Sequence, residues 1–151
     1  MSNLDAFLTA IAVSEGTASI GDRGYNCLVG SRPDMPILFG SYRDHPRVTI
    51  QLSSTLSSTA AGRYQILKRY YDAYRAQLRL QDFGPDAQDL IATQMIRECG
   101  ALEDVEAGRF DQAIAKCAHI WASLPGSQYG QHTNQLADLR QAFTSAGGAL
   151  A

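Results

Sequence analysis

The chain has 151 residues, 45% of them hydrophobic, enough for one domain to bury a core without metal or disulfide support. A formal net charge of -2 leaves no basic footprint, which argues against nucleic acid as a partner. Three cysteines, Cys27, Cys99 and Cys117, in no CxxC or Cys/His spacing, imply neither a disulfide framework nor a zinc site, but reduced thiols in a cytosolic chain.

Leu4, Phe7, Leu8, Ile11 and Ala12 follow the spacing of an apolar helical stripe, with Ser2 or Asn3 available as cap. This first helix is expected to stop near Glu15-Gly16, because a glycine there can take the left-handed conformation that closes a helix. Its apolar run contains Asp5, follows no basic residue and leads into Glu15 rather than a cleavage site, so it does not read as a signal peptide. No run reaches the roughly 18 apolar residues of a spanning helix. The expectation is a cytoplasmic product without stable membrane association, reaching any target beyond the membrane by another route.

Residues 17–59 change pattern, with many glycines and prolines and short β-prone runs at 27–29 and 48–52, which predicts a small loop-rich β-hairpin lobe. Helical spacing returns over 61–80, with Tyr64, Leu67, Tyr71, Tyr74 and Leu78 on one side and Arg63, Lys68, Arg69, Arg75 and Arg79 mainly on the other. That basic side reads either as a solvated face or as an attraction to an anionic surface, which salt weakens. Gly84-Pro85-Asp86 starts a third helix: proline at the first position loses no needed hydrogen bond, and the acid suits the positive helix end. Leu90, Ile91, Met95 and Ile96 supply its apolar face and Gly100 ends it. A helix over 110–121, broken by Leu124-Pro125-Gly126, and a last one over 133–145, stopped by Gly147-Gly148, complete a mainly helical α+β chain. Trp121 reads as a core anchor.

Among ionisable residues Glu15 is the best placed for chemistry. A carboxylic acid that remains protonated near neutrality must be partly buried against apolar neighbours, and Glu15 follows Ile11, Ala12 and Val13 at a helix-to-loop junction. Spacing alone is a weak signal, since a lone glutamate at a helix end is usually a solvated charge. His45, His119 and His132 are scattered without a second ligand at metal spacing, and no serine or cysteine sits in a nucleophile elbow.

Several blocks change that reading: Ser14-Glu15-Gly16-Thr17, Gly24-Tyr25-Asn26 with Val29-Gly30, Asp44-His45-Pro46-Arg47, Ser58-Thr59-Ala60-Ala61-Gly62-Arg63-Tyr64-Gln65, Asp72-Ala73-Tyr74-Arg75, and Ile120-Trp121-Ala122-Ser123-Leu124-Pro125-Gly126 with Tyr129-Gly130-Gln131. Together, in order and over nearly the whole chain, they resemble the lysozymes of phage lambda type. The resemblance implies one lysozyme-like α+β domain over 1–151, a mainly helical lobe plus a small β-hairpin lobe (about 17–59) flanking a substrate groove. It implies lytic transglycosylation of peptidoglycan: Glu15, matching the family's catalytic acid, protonates the β-1,4 oxygen between N-acetylmuramic acid and N-acetylglucosamine. The same carboxylate then draws the proton from the muramoyl C6 hydroxyl, giving a 1,6-anhydromuramoyl end without metal or other cofactor.

Gln65 resembles the glutamine that other transglycosylases place beside the catalytic acid, and is expected to bind sugar. Tyr64, Tyr129, Gln131 and Asn26 are the other candidate sugar contacts. Asn26 stands where the lambda pattern carries an aspartate, which removes one potential second carboxylate. Asp44-His45-Pro46-Arg47 is expected to hold a turn of the β lobe through proline and local charge pairing. The implied partner is the glycan strand of the bacterial wall, for a monomer that accumulates in the host cytoplasm and depends on a separate holin for release. Two alternatives stay open: a hydrolytic muramidase using Asp22 as second carboxylate, and a non-catalytic peptidoglycan-binding descendant.

Overall fold

Helix α1 (Asn3–Glu15) forms where the apolar spacing places it, and its start is capped: the Ser2 hydroxyl accepts the backbone N–H of Asp5 at 3.1 Å and donates to the Asp5 carboxylate at 2.8 Å. The computed structural model describes residues 2–126 and 134–151. In them α1 is followed by β1 (Ile50–Gln51), β2 (Ser57–Ser58), α2 (Lys68–Leu78), α3 (Pro85–Glu98), α4 (Leu102–Ala107), α5 (Phe110–Cys117) and α6 (Leu136–Ser145). The chain forms two compact units, Met1–Glu15 with Ala92–Ala151, and Gly16–Ile91. Among the described residues no helix is long and apolar enough to cross a membrane.

In the first unit α1 packs on α4 and α6, while α5 packs on α4 and α6. Phe7 of α1 meets Phe110 of α5 edge-on at 5.7 Å, and Phe110 meets Phe143 of α6 at 5.0 Å. All three rings are buried, each stabilising the fold by roughly 1.5–3 kcal/mol through removal from water. The two ends of the unit are tied together by Asn3, whose carbonyl oxygen accepts the Ala149 N–H at 2.8 Å and whose amide donates to the Ala149 carbonyl. Trp121 is buried, as its core reading requires. Asp104, almost fully buried on α4, accepts from Lys116 Nζ and Arg109 Nε, both at 2.6 Å; Lys116 first and Arg109 second hold its carboxyl below the usual range.

The second unit carries the small β element. β1 and β2 pair antiparallel, Ile50 opposite Ser58 and Gln51 opposite Ser57, with isolated bridges at Cys27–Leu38, Leu28–Ala61, Arg32–Met35 and Ala61–Ile66. Its aromatic core stacks the His45 ring at 4.9 Å from Phe83 and 5.7 Å from Tyr71. His45 accepts the Arg47 N–H at Nδ1, so Nε2 carries the proton and donates to the Ile66 carbonyl at 2.9 Å. Burial pushes its pKa down. Arg47 bridges Asp44 and Asp72, each at 2.7 Å, so the turn expected at 44–47 is held by local charge pairing and also fastened to α2.

Three expectations need correction. The helix predicted over 61–80 begins only at Lys68, because residues 61–66 close on themselves: Ala61 and Ile66 exchange backbone hydrogen bonds, Gly62 has φ +83° and Gln65 has φ +53°. Arg63 therefore leaves the solvated face and lies buried, its guanidinium 5.3 Å from the Tyr25 ring and 5.9 Å from the Tyr64 ring. Leu90, assigned to the apolar face of α3, is 56% exposed, whereas Ile91, Ala92, Met95 and Ile96 are buried. The short α4 has no counterpart among the predicted elements, and the helix predicted over 110–121 ends at Cys117.

Candidate active site

Glu15 is the last residue of α1, and Gly16, with φ +79°, turns the chain away immediately after it. The residue is half-buried. Removal from water penalises the carboxylate and pushes the pKa up from 4.5 to about 7; a hydrogen bond with the Ser123 side chain pulls the other way without cancelling it. Such a group gives up a proton readily near neutral pH and takes one back as readily, as a general acid that later turns base requires.

The surroundings of Glu15 within the first unit come from distant sequence. Ser14, buried on α1, shares a 2.8 Å hydrogen bond with the Ser123 hydroxyl. Asn134, just before α6, donates its amide to the Ser14 carbonyl at 3.0 Å, the Ser14 hydroxyl at 3.1 Å and the Ser123 carbonyl at 3.3 Å. Its backbone N–H also reaches the Ser123 carbonyl, at 3.0 Å. Sequence reasoning missed Ser14, Ser123 and Asn134 as site residues. Ser14 and Ser123 lie inside blocks that carry the family resemblance, but nothing local announces that residues 109 apart meet.

The second unit holds Gln65, Tyr64, Asn26 and Asp22. Gln65 is half-buried in the left-handed conformation, and its amide donates to the Gly62 carbonyl at 2.9 Å. The loop around it is shaped by fully buried Gln88, which accepts the Arg63 N–H at 2.9 Å and donates to the Tyr25 and Phe83 carbonyls, each at 2.9 Å. A side chain at Gly62 would run into the Gln88 amide, the steric reason for glycine in that block.

Tyr64, expected to face a sugar, is instead a core residue: it is 1% exposed and its hydroxyl donates to Asp89 at 2.5 Å. Tyr25 donates to the same Asp89 oxygen at 2.9 Å. The Asn26 side-chain carbonyl accepts the Asp22 N–H at 2.8 Å, closing the turn that contains both. The exposed Asp22 accepts the Tyr42 hydroxyl at 2.7 Å and sits 3.6 Å from Arg23. Tyr129 and Gln131 lie outside the described residues. Among the described residues, no group of three or more His, Cys, Asp or Glu is placed to hold a metal ion.

A mainly helical chain with one small antiparallel sheet among the described residues and a half-buried glutamic acid closing its first helix has the architecture of a lysozyme-like glycosidase. Bacteriophage lambda lysozyme complexed with a chitohexasaccharide superposes with a TM-score of 0.93 at 45% identity, covering 100% of this chain and 98% of that one. A second lambda lysozyme structure gives a TM-score of 0.88 at 44% identity, with the same coverage. The endolysin of Escherichia phage lambda is 46% identical over 149 residues, 96% of this chain and 91% of the relative. That of Escherichia phage P2 is 45% identical over 154 residues, 97% and 93% respectively. Residues 5–150 match the Endolysin family, and the chain belongs to it. It is accordingly a peptidoglycan-cleaving enzyme of the lysozyme kind.

Proposed function

We propose that the chain is a lytic transglycosylase of peptidoglycan in which Glu15 performs both proton transfers. The carrying observation is the Glu15 carboxyl, neutral by burial until about pH 7. It donates its proton to the oxygen of the β-1,4 bond on the N-acetylglucosamine side as that bond to the muramoyl C1 breaks, and positive charge develops at C1. The carboxylate formed then takes the proton of the muramoyl C6 hydroxyl while O6 bonds to C1. The products are a glycan with a free hydroxyl and a 1,6-anhydromuramoyl end; no water is consumed, and Glu15 is again protonated.

Both ordinary glycosidase geometries need a second carboxylate across the bond. Asp22 is engaged by Tyr42 and Arg23, which favours the single-acid scheme. Gln65 and Asn26 serve as sugar-binding residues in this reading, Asn26 through its amide NH2, since its carbonyl oxygen closes the turn. Tyr129 and Gln131 complete the proposed binding set, and one catalytic domain over 1–151 acts on glycan strands. The chitohexasaccharide held by the lambda lysozyme supports a glycan as the ligand class. Accumulation in the host cytoplasm as a monomer, with release through a separate holin, completes the proposal.

The test is the mass of the products from purified peptidoglycan. Transglycosylation leaves the summed mass of the pieces equal to that of the strand, whereas hydrolysis adds one water per cut. Anhydromuropeptides from the wild type, and their loss in a folded Glu15→Gln variant, are the expected results. Water-added reducing ends would establish a muramidase instead.

A further inference from the structure

The basic residues of α2 are not all tied into the fold. Arg47 and Lys68 both reach Asp72, at 2.7 Å and 3.2 Å. Arg69 is exposed, has no carboxylate within ion-pair distance among the described residues, and lies with its guanidinium 5.0 Å from the Tyr70 ring centre. Lys68 and Arg69 help to line a cleft of about 470 Å³ in the second unit, together with Thr49, Ser57, Ser58 and Thr59 from the β1–β2 hairpin and its flanks. Among the described residues, no acidic side chain lines it.

The hydroxyls of this cleft face a ligand as donors. The Thr59 oxygen accepts the Lys68 N–H at 3.0 Å and the Ser58 oxygen accepts the Ala60 N–H at 3.1 Å. Each therefore keeps its own hydrogen for another acceptor, and neither finds one among the described residues. The Thr59 bond also satisfies the first N–H of α2, so what the cleft offers comes from side chains and not from the helix end. Hydroxyl donors and two cations, with no carboxylate between them, complement a group that is anionic and has several acceptor oxygens. Thr59 and Lys68 also bracket the loop in which Ala61 and Ile66 exchange backbone hydrogen bonds, the loop that carries Gln65. Peptidoglycan, on which the family acts, bears short peptides with free carboxylates on its muramoyl sugars.

We propose that this cleft binds the carboxylates of the peptides attached to the glycan strand, with Arg69 and Lys68 as the charged contacts and the Ser58 and Thr59 hydroxyls as the neutral donors. The inference rests on the chain's action on peptidoglycan and not on the proton transfers assigned to Glu15. Lys68 reaches a ligand by leaving Asp72, at little cost, because that pair is exposed and Asp72 keeps Arg47. Arg69 gives up no carboxylate at all, and its planar fork suits two oxygens at once. The cleft thus makes the enzyme favour glycan that still carries its acidic peptides, and salt weakens the preference.

The experiment measures kcat and KM for wild type, Arg69→Gln, the double variant Lys68→Gln with Arg69→Gln, and Arg79→Gln, each checked for folding by its thermal midpoint. Two substrates are compared: peptidoglycan with its peptide amines acetylated, and the same material with its peptide carboxylates then converted to methylamides. On the first, loss of Arg69 raises KM about threefold and loss of both cations about tenfold, the scale of one and two exposed charge pairs, with kcat little changed. On the amidated wall the wild type already has the raised KM and the variants match it. Arg79→Gln, at the far end of α2 and outside the cleft, behaves as wild type on both. In nitrogen-labelled protein, the free tripeptide alanyl-γ-glutamyl-diaminopimelate shifts the backbone amides of 57–59 and 67–69, and added salt reverses the shifts.

An unchanged KM for the double variant on the carboxylate-bearing wall overturns the inference, as does an equal rise on the amidated wall. A rise in Arg79→Gln as large as that in Arg69→Gln overturns it too, since a diffuse field and not a site would then be at work. Glu15→Gln separates this inference from the mechanism: it should lose activity yet keep the peptide-induced shifts. If it stays active, the acid assignment fails and the cleft is untouched; if the wild type shows no shifts, the cleft fails and the acid assignment is untouched.

Discussion

Replacing Glu15 by glutamine should make the protein more stable above neutral pH while abolishing its chemistry. The folded pKa of about 7 lies above the unfolded value of 4.5, so between those values the folded protein binds more protons than the unfolded chain. The stabilisation from this group is therefore complete below about pH 4.5 and is lost as pH rises to about 7 and beyond, where a carboxylate must be kept away from water. At about 1.4 kcal/mol per pH unit, the displacement from 4.5 to about 7 amounts to about 3.5 kcal/mol at most. Glutamine keeps the shape and can still accept from Ser123 but never ionises.

Chemical unfolding at pH 4.5 and pH 8 decides the matter. The two proteins should agree within about 1 kcal/mol at the lower pH, and the variant should lead by up to about 3.5 kcal/mol at the higher. In thermal scans each kcal/mol corresponds to about 2–4 °C for a chain of this size. A stability difference that stays constant across the range would refute burial as the cause of the raised pKa.

Gly62→Ala should cost about 1–3 kcal/mol in thermal or urea unfolding, since the left-handed backbone and the Gln88 amide both oppose a side chain there. Tyr64→Phe should cost about 1–2 kcal/mol by removing the donor to Asp89 while leaving KM for peptidoglycan unchanged, as befits a core residue; a raised KM would return Tyr64 to the binding set. Asp22→Asn should leave the turnover rate within about threefold, checked by turbidity loss of wall fragments; a collapse of activity would revive the two-carboxylate mechanism.

The helices with local signals were legible from the amino acids: α1 from its apolar spacing with Ser2 before it and Gly16 after it, and α3 from Pro85 at its first position. The false start of α2 has a physical cause. Tyr64, Leu67 and Tyr71 continue a helical spacing, but Gln88 binds the backbone at Arg63 and excludes any side chain at Gly62, a tertiary constraint that periodicity cannot register. The six-residue α4 is too short for a periodic signal. Glu15 could be singled out because its chemistry shows in residue type and in the block around it. Ser123 and Asn134 could not, because their part in the site arises only when segments 109 and 120 residues away from Ser14 fold against it.

In the proposed mechanism one carboxyl, that of Glu15, stays protonated to about neutrality and serves as the acid of the reaction. Carbon NMR of protein labelled at the glutamate carboxyls, with Glu15→Gln to assign the signal, measures this directly beside the pH profile of kcat/KM. The Glu15 signal should titrate near pH 7, and kcat/KM should fall through the same midpoint. A Glu15 signal titrating between about pH 4 and 5, as for an exposed glutamate, would contradict the mechanism.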